Sequence, residues 1–406
     1  MEVALLHYAA APIVGGVEHV ISEHARILTE AGHRVHVIAG RGASMGGGIA
    51  FDLLPLADSR NDEILAAKAV LDTGMVPADF GALVDRIEKP LKELLGRTDV
   101  LIAHNVCSLN KNLPLTAAVR RIAESRGHPR LILWHHDLAW TTPRYATELH
   151  EGYPWDLLRT VWPGARHVCV SEWRREELAE LLGIEPSQIR VVPNGVDAAR
   201  ILRLEWEAIE IAGRLKLMQA EPLILVPVRI TPRKNLELAV RIAAALRRQR
   251  PRLKMVVTGP LGAHNPANLG YLGGLVELRR ALGLEAEVHF LAEGKAEPVS
   301  DRCIADLYAV ADLVLLTSTE EGFGLPILEA GLGGKLIFCT DIGPLRELGG
   351  SEVKYLPPGA SPDEVAASIG TTLGSSPQYL LKKRVLAHYT WDRIYSDHLA
   401  PLLELL

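Results

Sequence analysis

Residues 317–332 read Thr-Ser-Thr-Glu-Glu-Gly-Phe-Gly-Leu-Pro-Ile-Leu-Glu-Ala-Gly-Leu. They follow Leu313 to Leu316, an apolar run bounded by polar residues that predicts a buried strand. Proline tolerates the first helical position because no backbone donor is needed there, so Pro326 predicts a helix start and leaves Glu321 to Gly324 as a strand-to-helix loop. Such a loop aims free amides and the positive helix end beyond the sheet edge, and Gly322 and Gly324 let a ligand approach the backbone. The natural guest is a phosphate. Glu321 before the helix and Glu329 inside it would reach one cleft, where carboxylates suit hydroxyl groups.

The rest of the chain repeats this alternation of short apolar runs and helical patterns. In the first half, strands are predicted at Val3–His7, Arg34–Ala39, Ile49–Leu54, Asp99–Ala103, Arg130–Trp134 and Val168–Ser171, with Arg130–Trp134 as the central one. The first strand and the helix pattern Val17–Ala31 flank a second glycine joint, Gly15-Gly16. Polar residues arrive at carboxyl ends of strands, where open α/β sheets bind ligands: His104-Asn105 after one, His135-His136-Asp137 after another. Asn105, Lys111 and Asn112 could contact a substrate or cap the following helix. Ser171 reads as a helix cap.

In the second half, the predicted strand Leu223–Val228 empties into Arg229-Ile-Thr-Pro-Arg-Lys234-Asn235. Arginine offers a planar fork and lysine a point charge, the pairing expected for a diphosphate held without metal. Lys234 is expected on a polar loop, with Arg233 the lesser participant. Further strands are predicted at Leu253–Thr258, Glu287–Leu291 and Lys335–Cys339.

Composition narrows the class. The 406 residues, 48% hydrophobic and 23% charged, suffice for two domains with separate cores, and a net charge of −5 argues against nucleic acid as a partner. Cys107, Cys169, Cys303 and Cys339 lie far apart without a Cys-x-x-Cys pair, which argues against a metal site or a disulfide framework and fits a reducing cytoplasm. Neither a signal peptide nor a membrane span is expected.

The Glu321-x7-Glu329 pattern around Gly-Phe-Gly-Leu-Pro resembles the signature of the retaining glycosyltransferases of family 4. Pro193-Asn-Gly-Val-Asp197 resembles that family's passage between domains, and Tyr389-Thr-Trp391-Asp its terminal crossover helix. The resemblance implies the GT-B fold, two Rossmann-like doubly wound parallel-sheet domains facing a cleft. The expected domains are 1–192 with the crossover helix 390–406, acceptor side, and 193–389, nucleotide-sugar side.

It further implies a transfer of a hexose from a nucleoside diphosphate sugar, of the UDP-glucose or GDP-mannose type, to an acceptor hydroxyl with retention of configuration. Arg229, Lys234 and the amides of Phe323, Gly324 and Leu325 would hold the departing diphosphate, Glu321 the sugar hydroxyls and Glu329 the ribose. Gly15-Gly16 would close over the diphosphate from the first domain, and His136, with His135 in reserve, would lie beside the sugar. The exit of Glu287–Leu291 would meet the base through the backbone. No cofactor is expected and no Asp-x-Asp motif appears, so no metal is expected either. The acceptor is expected to be small, polar and soluble, bound near Asn105, Lys111 and Tyr145. Tyr153 to Gly164, with Trp155, Arg159 and Trp162, is the stretch that would serve a lipid acceptor as a basic aromatic patch. Lipid or polysaccharide transfer and nucleotide-sugar epimerisation are the alternatives.

Overall fold

The computed structural model describes residues 1–125, 129–261, 267–293, 298–357 and 359–404. The chain divides into two compact units, Met1–Gly195 with Trp391–Leu406, and Val196–Thr390.

The first unit carries a seven-stranded parallel sheet of β1 Glu2–His7, β2 Arg34–Ala39, β3 Ala50–Leu53, β4 Val100–His104, β5 Arg130–His135, β6 Arg166–Cys169 and β7 Ile189–Val191. Its order is β3-β2-β1-β4-β5-β6-β7. The centre is therefore β4 and not Arg130–His135. A reading along the chain does not reveal that β1 pairs with both β2 and β4, Val3 lying opposite both Val35 and Val100. The sheet changes direction between β1 and β4, and such a reversal opens a crevice beyond the carboxyl ends of those two strands.

The second unit carries β8 Leu223–Val226, β9 Lys254–Val257, β10 Val288–Phe290, β11 Leu313–Leu316, β12 Leu336–Thr340 and β13 Lys354–Leu356. Its order is β10-β9-β8-β11-β12-β13, again all parallel, with the reversal between β8 and β11. Helices cover both faces of such sheets, which is why Leu-Ile-Leu-Val in β8 and Leu-Val-Leu-Leu in β11 are apolar at every position and buried throughout. The 3-residue β13 is too short for a periodic signal and escapes the sequence reading.

Side-chain caps set the helix starts. Asn112 accepts from the Leu115 amide, Ser171 from Arg174 and Ser300 from Cys303. Ser361 and Glu364 form a reciprocal capping box.

The passage between units is built on a close approach. A Cβ on Gly195 would lie 2.6 Å from the Trp391 ring, so only glycine lets the outgoing chain pass the returning one. Trp391, Ile394, Leu399 and Leu402 then join the core of the first unit. At the second unit's own ends, the Val196 amide donates to the Tyr389 carbonyl at 2.7 Å. Leu405 and Leu406, the end of the expected crossover helix, lie outside the described residues. The four cysteines are buried and outside any disulfide, and among the described residues no helix is long and apolar enough to cross a membrane.

Candidate active site

In the second unit, the exits of β8 and β11 stand side by side at the reversal of strand order. After β8 the chain makes a short turn, Pro232–Lys234, and after β11 it runs through Thr317 to Gly324 into the helix Leu325–Leu332. Two hydrogen bonds lock these segments together: the Thr317 hydroxyl donates to the Lys234 carbonyl at 2.9 Å, and the Thr319 amide to the Arg233 carbonyl at 2.8 Å. Lys234 is held by this lock. It is buried, with a side chain 9% exposed, and not on a polar loop as its neighbours suggest.

Its ammonium donates to Oε1 of Glu321, whose side chain is 8% exposed. The Ser318 hydroxyl donates to the same oxygen at 2.7 Å, and Arg233 stands 4.0 Å from Oε2. Arg233 thus joins the cluster more closely than its place in the sequence suggests. Arg229, also at the β8 exit, is exposed and has no partner among the described residues.

The helix starts at Leu325, with Pro326 its second residue, one position earlier than the proline alone predicts. Gly324 is its N-cap at φ 106°, a left-handed conformation that favours glycine. The amides of Phe323, Gly324 and Leu325 donate to no backbone carbonyl among the described residues. Free amides at a helix start, next to cationic side chains, form an anion cradle.

One turn into that helix, Glu329 accepts from the Tyr308 hydroxyl at 2.7 Å. Burial, and then the Glu329 hydrogen bond, push the Tyr308 phenol well up from its ordinary value, so it stays a donor. Tyr308 gives no signal in the sequence: it lies in the helix Asp301–Val310 among ordinary core residues, and only the fold aims it at Glu329.

Arg229, Lys234, Glu321, Phe323, Gly324, Leu325 and Glu329 all line one cavity of about 1080 Å³, which Arg233, Tyr308 and Gly259 share. At Gly259 the β9 exit passes β8 so closely that a Cβ would lie 1.8 Å from the Val228 carbonyl oxygen. The segment 294–297, where the expected base contact after β10 falls, lies outside the described residues, as do 262–266 in the loop after β9.

The first unit gathers histidines at the equivalent reversal. His7 Nδ1 lies 2.7 Å from the His104 carbonyl oxygen, and His104 Nδ1 lies 3.1 Å from Nε2 of the half-buried His136. Burial is the main cause that lowers His136 to about 3, aided by His24 and His7, so the ring is neutral. His135 is turned away, paired to His167 at 3.0 Å. Gly15 and Gly16 lead into the helix Gly16–Glu30, with Gly15 extended at φ −168°.

The three residues expected to face the acceptor differ in placement. Asn105 is buried in a left-handed turn (φ 59°), its Oδ1 accepting from the His136 amide at 2.8 Å, so it shapes the loop that carries His136. Tyr145 is buried in the core and stacked by Arg144. Lys111 is half-buried, and its charge adds to burial in lowering His7 to about 4. Trp155 and Trp162 are 2% and 1% exposed, and Arg159 lies over the Trp140 ring at 4.1 Å, so the two tryptophans are core residues, whereas Tyr153 of the same stretch is exposed.

Residues 14–200 match the family model described as Glycosyltransferase Family 4, and residues 209–380 the one described as Glycosyl transferases group 1. A D-inositol 3-phosphate glycosyltransferase of Kineococcus radiotolerans is 36% identical over 188 residues, 45% of this chain and 40% of that protein. The alignments with three such enzymes span between 38% and 49% of their length. The mannosylglucosylglycerate synthase of Petrotoga mobilis is 26% identical over 356 residues, 81% of this chain and 80% of that one. Among solved structures, Anabaena HepE in complex with UDP and glucose aligns over 100% of both chains at 20% identity, with a TM-score of 0.36. Two parallel-sheet domains, each matched over most of its length by one of these two family models, make a GT-B protein, and the chain belongs to glycosyltransferase family 4.

Proposed function

We propose that this protein is a retaining hexosyltransferase that takes a nucleoside diphosphate sugar as donor and needs no metal. The observation that carries this reading is the single cavity joining a buried Lys234–Glu321 pair, the exposed Arg229, three free amides at a helix start and Glu329. Diphosphate departure builds negative charge, and prearranged cations and amides stabilise that charge without the cost of reorganising solvent. Lys234 and Arg229 supply the charge a metal would otherwise bring.

In the reaction, the bond from the anomeric carbon to the diphosphate oxygen breaks, the acceptor oxygen bonds to that carbon on the same face, and the acceptor proton leaves with the diphosphate. Glu321 keeps Lys234 aimed at the phosphates through Oε1 and leaves Oε2 for sugar hydroxyls. Glu329, steadied by Tyr308, takes the ribose. The family resemblance assigns the diphosphate to Gly15-Gly16 and the sugar to His136. Of the three acceptor-side candidates Lys111 remains to meet a polar group, Asn105 and Tyr145 being engaged internally.

Inositol 3-phosphate and mannosylglucosylglycerate, the small polar molecules in the names of two relatives, support a small polar acceptor. The burial of Trp155 and Trp162, which leaves Tyr153 as the exposed aromatic of that stretch, supports the same reading.

Calorimetry with UDP-glucose, GDP-mannose and related donors, followed by mass spectrometry of products from a mixture of polyols, hydroxy acids and their phosphates, tests the reading. Transfer is expected to persist in EDTA. Loss of transfer in EDTA with recovery in Mg²⁺ or Mn²⁺ would refute metal independence, and donor isomerisation without an acceptor would favour an epimerase.

A further inference from the structure

Four histidine rings crowd the reversal point of the first sheet: His7 ends β1, His104 ends β4, His136 follows β5, and His24 comes from the helix Gly16–Glu30. His104 is fully buried, its ring centroid 5.3 Å from Trp134 and 5.4 Å from His24. His24 in turn lies edge-on to Trp134 at 4.7 Å and to Trp391 at 5.6 Å. Nε2 of His104, both ring nitrogens of His24 and the indole nitrogens of Trp134 and Trp391 are buried without hydrogen-bond partners. The other nitrogen of His104, Nδ1, is the one that meets His136 Nε2 at 3.1 Å.

These unpartnered atoms decide where the protons sit. An indole nitrogen only donates, and a neutral imidazole carries one N–H and one lone pair in either tautomer. Trp134 and His24, which adjoin His104, and Trp391, which adjoins His24, therefore put three N–H groups and one lone pair into this buried cluster. A fourth N–H on His104 Nε2 would add another donor to a buried cluster already short of acceptors, whereas a lone pair there adds an acceptor. The His104 proton then lies on Nδ1, is donated to His136 Nε2, and forces the His136 proton onto its own Nδ1. That Nδ1 has no hydrogen-bond partner among the described residues.

We infer that His104 is a positioning residue that fixes His136 as its Nδ1–H tautomer, so that His136 presents a hydrogen-bond donor, and not a base, to an oxygen of the bound sugar. The assignment of His136 to the sugar rests on the transfer reading above; the tautomer does not. Burial keeps the His136 ring neutral across the working pH range, so the donor is a neutral N–H. A neutral donor suits a hydroxyl or ring oxygen that gains electron density as the diphosphate leaves, and it leaves the acceptor proton to the diphosphate.

The test uses full-length protein labelled with ¹⁵N-histidine, its ring nitrogens read by long-range proton–nitrogen correlation at pH 7 without substrate. His136 is expected to show a protonated Nδ1 and a bare Nε2. In His104→Asn the amide nitrogen stands where Nδ1 stood, so the tautomer and most of the turnover should persist. In His104→Leu, His136 should revert to the Nε2–H form that free imidazoles favour, and kcat should fall roughly 10- to 100-fold with little change in donor KM. A wild-type His136 protonated on Nε2 would overturn the inference. So would a folded His104→Leu variant that kept both the Nδ1–H signature and wild-type turnover. Wild-type protein with the Nδ1–H signature but no transfer from any donor would uphold the tautomer and fault the transfer reading instead.

Discussion

Lys234 and Glu321 form a buried ion pair across the reversal of the second sheet, one carried by the exit of β8 and the other by the exit of β11. Each partner makes the other's burial tolerable, because a charge shielded from water needs an opposite charge or hydrogen bonds in its place. The pair therefore has two effects that can be separated, one on stability and one on the departing diphosphate.

Lys234→Met should strand the Glu321 carboxylate and lower stability by about 2–4 kcal/mol, toward the low end because the Ser318 hydroxyl still supports it. Lys234→Met with Glu321→Gln should regain most of that loss, since no uncompensated charge remains. Urea denaturation of the two variants checks this, and equal midpoints would rule out the ion pair as the cause. Both variants should still lose transfer, by roughly 30- to 1000-fold for about 2–4 kcal/mol of lost transition-state stabilisation.

Tyr308→Phe removes one hydrogen bond to a carboxylate that is otherwise exposed. The expected result is a roughly 3- to 10-fold weaker affinity for the nucleoside diphosphate with kcat nearly unchanged, as for a contact made equally in ground and transition states. Titration calorimetry against the free nucleotide measures it. A fall in kcat at constant affinity would place Glu329 at the reacting sugar and not at the ribose.

Much of this site was legible because its parts are local. Glu321, Gly324 and the helix after them follow one another in the chain, and turn and helix-start chemistry depends only on such neighbours. What the chain conceals is non-local. Lys234 and Glu321 are 87 positions apart, and their contact depends on β8 lying beside β11, a pairing that no periodicity expresses. The same cause hid β4 as the centre of the first sheet and Tyr308 as the partner of Glu329. Polar or aromatic residues in loops suggest surface, yet Asn105 is used up in a left-handed turn and Trp155 lies in the core.

Gly324→Ala should disturb the cradle directly. The new Cβ would sit 2.6 Å from Cδ2 of Leu345, a fully buried side chain, on a backbone at φ 106°. Strain of this kind costs about 1–3 kcal/mol, relieved by rotating the peptide units that carry the free amides. Diphosphate affinity should therefore fall together with the melting temperature. Unchanged affinity in a destabilised variant would mean that the amides at 323–325 do not hold the phosphates.

The histidines of the first unit make its stability depend on pH. His24 is fully buried without a partner for either ring nitrogen, and burial lowers it from 6.5 to about 3. The unfolded chain takes up that proton near 6.5 and the folded chain only near 3, so the stability held by the neutral ring is complete above about pH 6.5 and is lost progressively as the pH falls toward 3. At pH 5 the loss from this group alone comes to about 2 kcal/mol. Burial also lowers His136 to about 3 and His7 and His167 to about 4, all with the same sign, whereas in the second unit His289 is the one described histidine lowered in this way. Of the seven tryptophans, Trp206 alone belongs to the second unit, so indole fluorescence reports mainly on the first. Acid titration should shift that fluorescence between about pH 6 and pH 4, ahead of the loss of helical circular dichroism from the second unit. In His24→Met the drop in stability between pH 7 and pH 5, measured by urea denaturation at each pH, should shrink by about 2 kcal/mol. An undiminished drop would show that His24 is not among the groups that make the first unit sensitive to acid.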